Sequence, residues 1–375
     1  MNKIMIGFLL ANIISIGAPQ AAEVNRNLQE ENRAEMSKRD RIMGAIMGVF
    51  IGDALGVGTH WYYDLDALKT DFGPWISDYN DPKLESTSRF AKVHQYRHDQ
   101  GVRAGDLSQT GQLYRMLVES VVDQGGYDRA DYAARVDELF KTLNGKNYSG
   151  LYTDSAIRET WKHRKAGISW DDPKVGSNAI TSDAAQMNVA LAALFYDDPE
   201  MLAKTANSQT KLFYHNDFPI THSVSYALVV GGLIDGVPLE HMAEHILGMN
   251  RRVLTKNALY YDSRIQIELG QSAWEPETRF SSPHLAAKVY GQHCEIHQLL
   301  PGAYYFIHHY QNDFEEAVLA AINGGGNNMA RAALTGGLSG AMVGLSGIPE
   351  RFIKGLNNHK QLLKLAEKMA DLTQP

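Results

Sequence analysis

Several features that mark common protein classes are scarce in this sequence. Its 375 residues hold a single cysteine, Cys294. No intrachain disulfide can form, and a structural zinc site built on two or more cysteines is excluded. Basic residues are not in excess: 36 Lys and Arg stand against 43 Asp and Glu, a net charge of -7, which argues against a general nucleic-acid binder. There are 12 prolines, no long Gly/Ser linker beyond Arg41, and few convincing period-2 stretches. No apolar run reaches the roughly 20 residues that a membrane-spanning helix needs. What is present, 44% hydrophobic, 21% charged and 9% aromatic residues, is an ordinary globular composition, which sets aside collagen-like and mostly disordered chains.

The N-terminus reads as an export signal over residues 1–22. Lys3 precedes a mostly apolar stretch, Ile4 to Gly17, that ends at the small residues Gly17-Ala18-Pro19-Gln20-Ala21-Ala22. It is too short to span a bilayer. The expected mature protein is periplasmic or secreted, without stable membrane insertion once the signal is removed. Residues 23–40 are dense in charge and read as a linker or frayed helix. From Arg41 to residue 375 apolar spacing is mostly helical, as at Leu113, Met116, Leu117 and Val121. Length alone suggests two domains; the uninterrupted helical pattern favours one all-α domain.

Glycine placement is informative. Gly44, Gly48, Gly52 and Gly56 recur every fourth residue, as do Gly336, Gly340 and Gly344. On a helix, residues i and i+4 share a face. Each helical glycine costs about 0.8–1.0 kcal/mol relative to alanine, so two bare stripes call for compensation by close backbone approach. The stripes predict that the two ends of the domain pack together and bring their polar residues into one region.

Four polar clusters are candidates for chemistry. Asp53 sits in Gly52-Asp53-Ala54-Leu55-Gly56, with His60 close behind. Asp106, Ser108, Gln109 and Thr110 precede a helix, where Asp, Ser and Thr also serve as plain N-caps. His215-Asn216-Asp217 is followed by His222, a weaker signal. Asn323-Gly324-Gly325-Gly326-Asn327-Asn328-Met329-Ala330-Arg331 is the most site-like: glycines let backbone approach a ligand, and a helix start offers N–H groups to an anion.

These clusters, in this order, resemble the ADP-ribosylglycohydrolase family, particularly its branch containing the J-type crystallins, over about Arg41 to Leu356. The resemblance implies a compact multi-helix orthogonal bundle and hydrolysis of an N- or O-glycosidic bond to ADP-ribose, assisted by two Mg²⁺. The chain departs from the family's metal motifs. Thr-Asp-Asp-Thr falls on Gly105-Asp106-Leu107-Ser108 or on Leu107-Ser108-Gln109-Thr110, and Gly-Gly-Asp-x-Asp-Thr falls on Gly325-Gly326-Asn327-Asn328-Met329-Ala330. At most one carboxylate survives, so neither a binuclear Mg²⁺ site nor any other cofactor is expected.

The resulting expectation is a glycosidic-bond hydrolase acting without metal on a small-molecule, ADP-ribosyl or related nucleoside or sugar substrate. Asp106, His60 and Asp53 would carry the acid–base chemistry. Asn327, Asn328, Arg331, Ser108, Gln109, Thr110, His215 and Asp217 would bind substrate. The alternative is a catalytically inactive ligand-binding or structural, crystallin-like protein.

Overall fold

The computed structural model describes residues 36–144, 154–252 and 259–373, with backbone alone at 250–252 and 259–263. The chain separates into two units, Met1–Ser37 and Lys38–Pro375, and the described helices all lie in the second. The export signal at 1–22 and most of the charged stretch at 23–40 lie outside the described residues. The first described helix starts at Lys38, three residues before the expected domain start at Arg41.

The second unit is all-α. Among the described residues there is no strand, only three isolated bridges. At its centre two helices, Lys38–Val57 and Asn328–Val343, are buried around nearly their whole circumference, the pattern of a core helix with little amphipathicity. Their glycine stripes face each other antiparallel. A Cβ on Gly44 would lie 2.3 Å from the Gly340 carbonyl oxygen, one on Gly48 2.0 Å from that of Gly336, and one on Gly52 2.1 Å from that of Ala332. Only glycine permits this contact, and the dispersion gained along two touching backbones offsets the helix-propensity cost.

Other helices wrap this pair. Asp217–Asp235 is tied to it by Tyr226, whose hydroxyl donates to the Leu334 carbonyl at 2.7 Å. Ile296–Tyr310 and Phe314–Asn323 follow one another, the second capped by Asp313 accepting from Glu316 N. The alanine-rich run from Met187 to Phe195 is not one helix: it breaks at Asn188, between Asp183–Met187 and Val189–Leu194. Asn188 is fully buried, and its side-chain amide donates to Thr210 Oγ1.

The bridges pair Tyr62 with Gly326, Ser177 with Tyr214, and Thr181 with Glu295. They pin segments far apart in sequence at one end of the central helix pair. No described helix is long and apolar enough to cross a membrane.

Candidate active site

A narrow cleft with about 20 Å³ of free volume lies where these segments meet. It is lined by His60, Ser108, Gln109, Thr110 and Asn327 from the expected set. Trp61, Asp154, Ser182, Asp183, Gln186 and Cys294 complete most of its wall.

Ser108 is the N-cap of the Gln109–Gln124 helix: its hydroxyl accepts from Gly111 N at 3.1 Å. Beneath it lies Asp53, fully buried on the Lys38–Val57 helix. The Asp53 carboxylate accepts from Ser108 N at 2.7 Å and from Ser108 Oγ at 2.5 Å. Asp53 therefore positions the wall instead of lining the cleft. Burial pushes its pKa up to about 6; the Ser108 hydrogen bonds and the Arg97 charge oppose that rise, and the Asp183 charge adds to it.

That shift has a consequence for stability. The folded state holds the Asp53 proton more tightly than the unfolded chain, so stability falls as pH rises from about 4 to about 6. Two pKa units correspond to about 3 kcal/mol. Asp53→Asn, which keeps an acceptor for Ser108 N, is expected to remove most of that decline. Urea denaturation at pH 4, 5, 6 and 7 checks this, and an unchanged slope would show that Asp53 is not charged at the cost of burial.

Asp154 and Asp183 meet across Thr181. Asp154 caps the Ser155–Lys165 helix, accepting from Ala156 N at 2.8 Å. Asp183 opens the Asp183–Met187 helix and accepts from Thr110 Oγ1 at 2.9 Å, Thr181 Oγ1 at 2.8 Å and Tyr214 Oη at 3.1 Å. Thr181 Oγ1 also lies 3.1 Å from Asp154 Oδ1 and 2.8 Å from Tyr214 Oη. Asp154 is pushed well above the ordinary carboxylate range, first by burial, then by the Asp183 charge and the hydrogen bond between the two carboxyls. Two carboxyls this close oppose each other's ionisation, which together with burial is what raises Asp154.

The clasp is built from backbone. Ser177 N donates to Phe213 O and His215 N to Ser177 O, while Ile296 N donates to Ile180 O. The loop carrying Thr181 and Asp183 is held on both sides.

Other expected site residues lie elsewhere. Asp106 is not in the cleft: its carboxylate accepts from Arg103 N and from Asn357 Nδ2. It lines a separate open groove with Leu107, Arg115 and Asn357. The turn Arg103–Asp106 directs it there, because its own backbone N–H folds back to Arg103 O. Asn328 is buried beneath the wall, its amide donating to Thr59 O, Thr59 Oγ1 and Ile322 O. Arg331 is fully buried and donates to the carbonyls of Ala321 and Gly325. It staples the glycine turn and is unavailable to a substrate. His215 and Asp217 are exposed, the His ring against the Gly176 carbonyl.

The glycine turn is likewise no anion cradle. Gly325 N donates to Ile322 O, Gly326 N to Tyr62 O and Asn327 N to Gln292 O, and Asn327 caps its own helix. Its positive-φ glycines, at 64° and 63°, instead let the chain clasp the Trp61–Tyr62 segment. His60 lines the cleft, but burial, then Arg97 and His94, hold its pKa well below the ordinary value. It is a neutral imidazole at physiological pH, not the proton carrier expected of it. Burial, then Asp154 and Asp183, push the Cys294 thiol up to about 12, so it is no nucleophile.

The two Mg²⁺ implied by the resemblance do not fit this donor set. The motif positions present Ser108, Gln109, Thr110, Asn327, Met329 and Ala330 to the cleft, where Mg²⁺ demands carboxylate and water oxygens in an octahedron. No group of three or more His, Cys, Asp or Glu among the described residues is placed to hold a metal ion.

The sequence singles out neither Asp154 nor Asp183, because each is a lone acid at the start of a helical run, where Asp commonly serves as an N-cap. Asp154 does cap; Asp183 reaches past its helix to the hydroxyls of Thr110 and Tyr214.

Comparison with known proteins agrees with the fold. The family model described as ADP-ribosylglycohydrolase matches residues 34–375. Crystallin J1A of Tripedalia cystophora is 22% identical over 344 residues, 89% of this chain and 97% of that protein. ADP-ribosylarginine hydrolase Tri1 of Pseudomonas putida is 22% identical over 345 residues, 88% of this chain and 78% of that protein. A solved structure titled ADP-ribosylglycohydrolase-related protein complex superposes with a TM-score of 0.65 at 19% identity, covering 90% of this chain and 99% of that one.

Proposed function

Since the chain belongs to the ADP-ribosylglycohydrolase family, we propose that it hydrolyses a glycosidic bond of an ADP-ribosyl or related nucleoside or sugar substrate in this cleft, without the binuclear Mg²⁺ chemistry. The observation that carries this reading is the pair of neighbouring carboxyls, Asp154 and Asp183, in the cleft wall, with Asp154 raised by burial and by the Asp183 charge. Glycosidic cleavage passes through an oxocarbenium-like state and requires an acid, a base and negative charge near the sugar.

The pair supplies all three. Protonated Asp154 donates to the departing nitrogen or oxygen as its bond to the anomeric carbon breaks. Asp183 faces the developing cation and takes a proton from the water whose oxygen bonds to that carbon. The proton then returns from Asp183 to Asp154, resetting the pair. His60, neutral, and Asn327 and Gln109 orient hydroxyl groups.

Incubation with ADP-ribosylated arginine and serine peptides and with simple nucleosides tests the reading, with released product followed by mass spectrometry. Turnover of at least one is expected, unchanged by a chelator and lost in Asp183→Asn. No turnover across the set would leave a ligand-binding or crystallin-like structural protein. Activity abolished by chelation and restored by Mg²⁺ would overturn the donor-set argument.

Export is part of the same proposal. It rests on Lys3, the apolar stretch and the small residues ending at Ala22. Intact-mass analysis of protein from its native host is expected to show a start near Glu23. Residues 1–22 retained on a cytoplasmic protein would rule it out.

A further inference from the structure

We propose that the open groove between the Gln109–Gln124 helix and the start of the His359–Asp371 helix binds a neutral polyhydroxylated molecule, a monosaccharide or polyol, independently of the cleft. This goes beyond the hydrolase reading and does not rest on it.

The groove holds about 440 Å³ of free volume against about 20 Å³ in the cleft, within the roughly 300–1,000 Å³ of small-molecule pockets. One wall is fixed before anything binds. Asn357 N donates to Gly105 O at 2.9 Å, and the Asn357 amide donates to Ala104 O at 3.2 Å and to Asp106 Oδ1 at 2.7 Å. Gly105, at φ 84°, permits this close approach: a Cβ there would lie 2.2 Å from Gly355 O. The next residue along that wall, Asn358, has φ 61°, a left-handed conformation that asparagine tolerates better than most side chains. Its amide lines the groove and does not cap the helix that follows.

The opposite wall is one face of the Gln109–Gln124 helix, where Gln112, Arg115, Met116 and Glu119 fall at i, i+3, i+4 and i+7. Leu113, Leu117 and Val121 take the other face into the core. Arg115 Nε donates to Glu119 Oε1 at 2.7 Å, and the two side chains are only 33% and 28% exposed. The pair is held along the wall instead of reaching into solvent. Leu107, Met116 and Leu362 add an apolar surface.

Charge and hydrogen-bonding capacity decide the occupant. Arg115 and Glu119 neutralise each other, and Asp106 leaves the lining with one net negative charge, which disfavours an anion. Both Asp106 oxygens already accept, from Arg103 N and from Asn357 Nδ2, so a cation finds no open partner there. Among the described residues, no group hydrogen-bonds the side-chain amide of Gln112 or of Asn358. Each amide presents donors and an acceptor, Glu119 keeps a second oxygen, and Arg115 keeps its terminal nitrogens. A hydroxyl both donates and accepts, so neighbouring hydroxyls match these groups in pairs. The C–H face of a sugar ring then covers Leu107, Met116 and Leu362. A purely apolar molecule would strip water from the amides without replacing its hydrogen bonds.

Calorimetry on the intact protein tests the proposal with glucose, galactose, mannose and sorbitol. Gluconate, N-methylglucamine and cyclohexanol serve as anionic, cationic and nearly apolar counterparts. At least one neutral probe should bind with a Kd of about 1 mM or tighter, and at least tenfold more tightly than each counterpart. Gln112→Leu should weaken that binding about three- to tenfold, the worth of one or two hydrogen bonds. Asn358→Gly, which keeps the left-handed turn, should do the same. Met116→Trp should fill the groove and abolish binding; should it fail to fold, the two milder variants decide. No binding of any neutral probe, equal binding of any counterpart, full affinity in either milder variant, or binding retained in a folded Met116→Trp would overturn the proposal.

Discussion

Asp183→Asn is expected to lower turnover by roughly 10²–10⁴-fold, the range of a positioned acid–base group, with the fold intact. Asparagine is isosteric and keeps an oxygen for Thr181 Oγ1 and Tyr214 Oη, while Thr110 Oγ1 can accept from the new amide. What disappears is the negative charge. Its loss acts twice, because the Asp183 charge is also one of the causes that raise the Asp154 pKa. Asparagine at 183 lets Asp154 ionise at lower pH, and the acid is lost with the base. Asp154→Asn should therefore be nearly as damaging, and the double variant little worse than either single one. Asp106→Asn should leave kcat within about twofold, since Asp106 holds Asn357 and faces the other groove. Steady-state kinetics on the four variants decides the matter. A larger loss at Asp106 than at Asp183 would move the chemistry out of the cleft.

Gly52→Leu should destabilise the protein by at least the roughly 1–3 kcal/mol typical of overpacking, and failure to fold is an expected outcome. A Cβ at 52 would lie 2.1 Å from the Ala332 carbonyl oxygen and 2.4 Å from its carbon. These are backbone atoms of a buried helix, so no rotamer change relieves the clash; the two central helices must separate. Gly52→Ala is the milder form and should lower the melting temperature by several degrees. Gly248→Ala is the control. It lies in the helix Met242–Arg252 with nothing within 4 Å of a new Cβ, so it should be neutral or stabilising by up to about 1 kcal/mol. Equal melting temperatures for wild type and Gly52→Ala would contradict the close packing.

The glycine stripes were legible because their information is local. A four-residue repeat places glycines on one helical face whatever surrounds it, and a helix that tolerates several must recover their cost by backbone contact. That reasoning correctly joined the Lys38–Val57 and Asn328–Val343 helices. It brought His60 and Asn327, from the two ends of the domain, to one cleft.

The sequence by itself determined the helical class and the packing of the two chain ends, since apolar period and glycine spacing are properties of neighbouring residues. The tertiary structure decided which polar side chains do chemistry. Whether Asp106 or Asp183 faces the cleft depends on a single turn at Arg103–Asp106 and on bridges between residues such as Thr181 and Glu295, more than a hundred positions apart. Neither leaves a periodic trace. The state of each group was also set by its surroundings. Burial keeps His60 neutral, the charge of one carboxyl raises the pKa of the other, and the carbonyls around Arg331 occupy a cation that reads in sequence as a ligand for substrate. Protonation and availability follow from the desolvation and neighbouring charge that only the folded arrangement supplies.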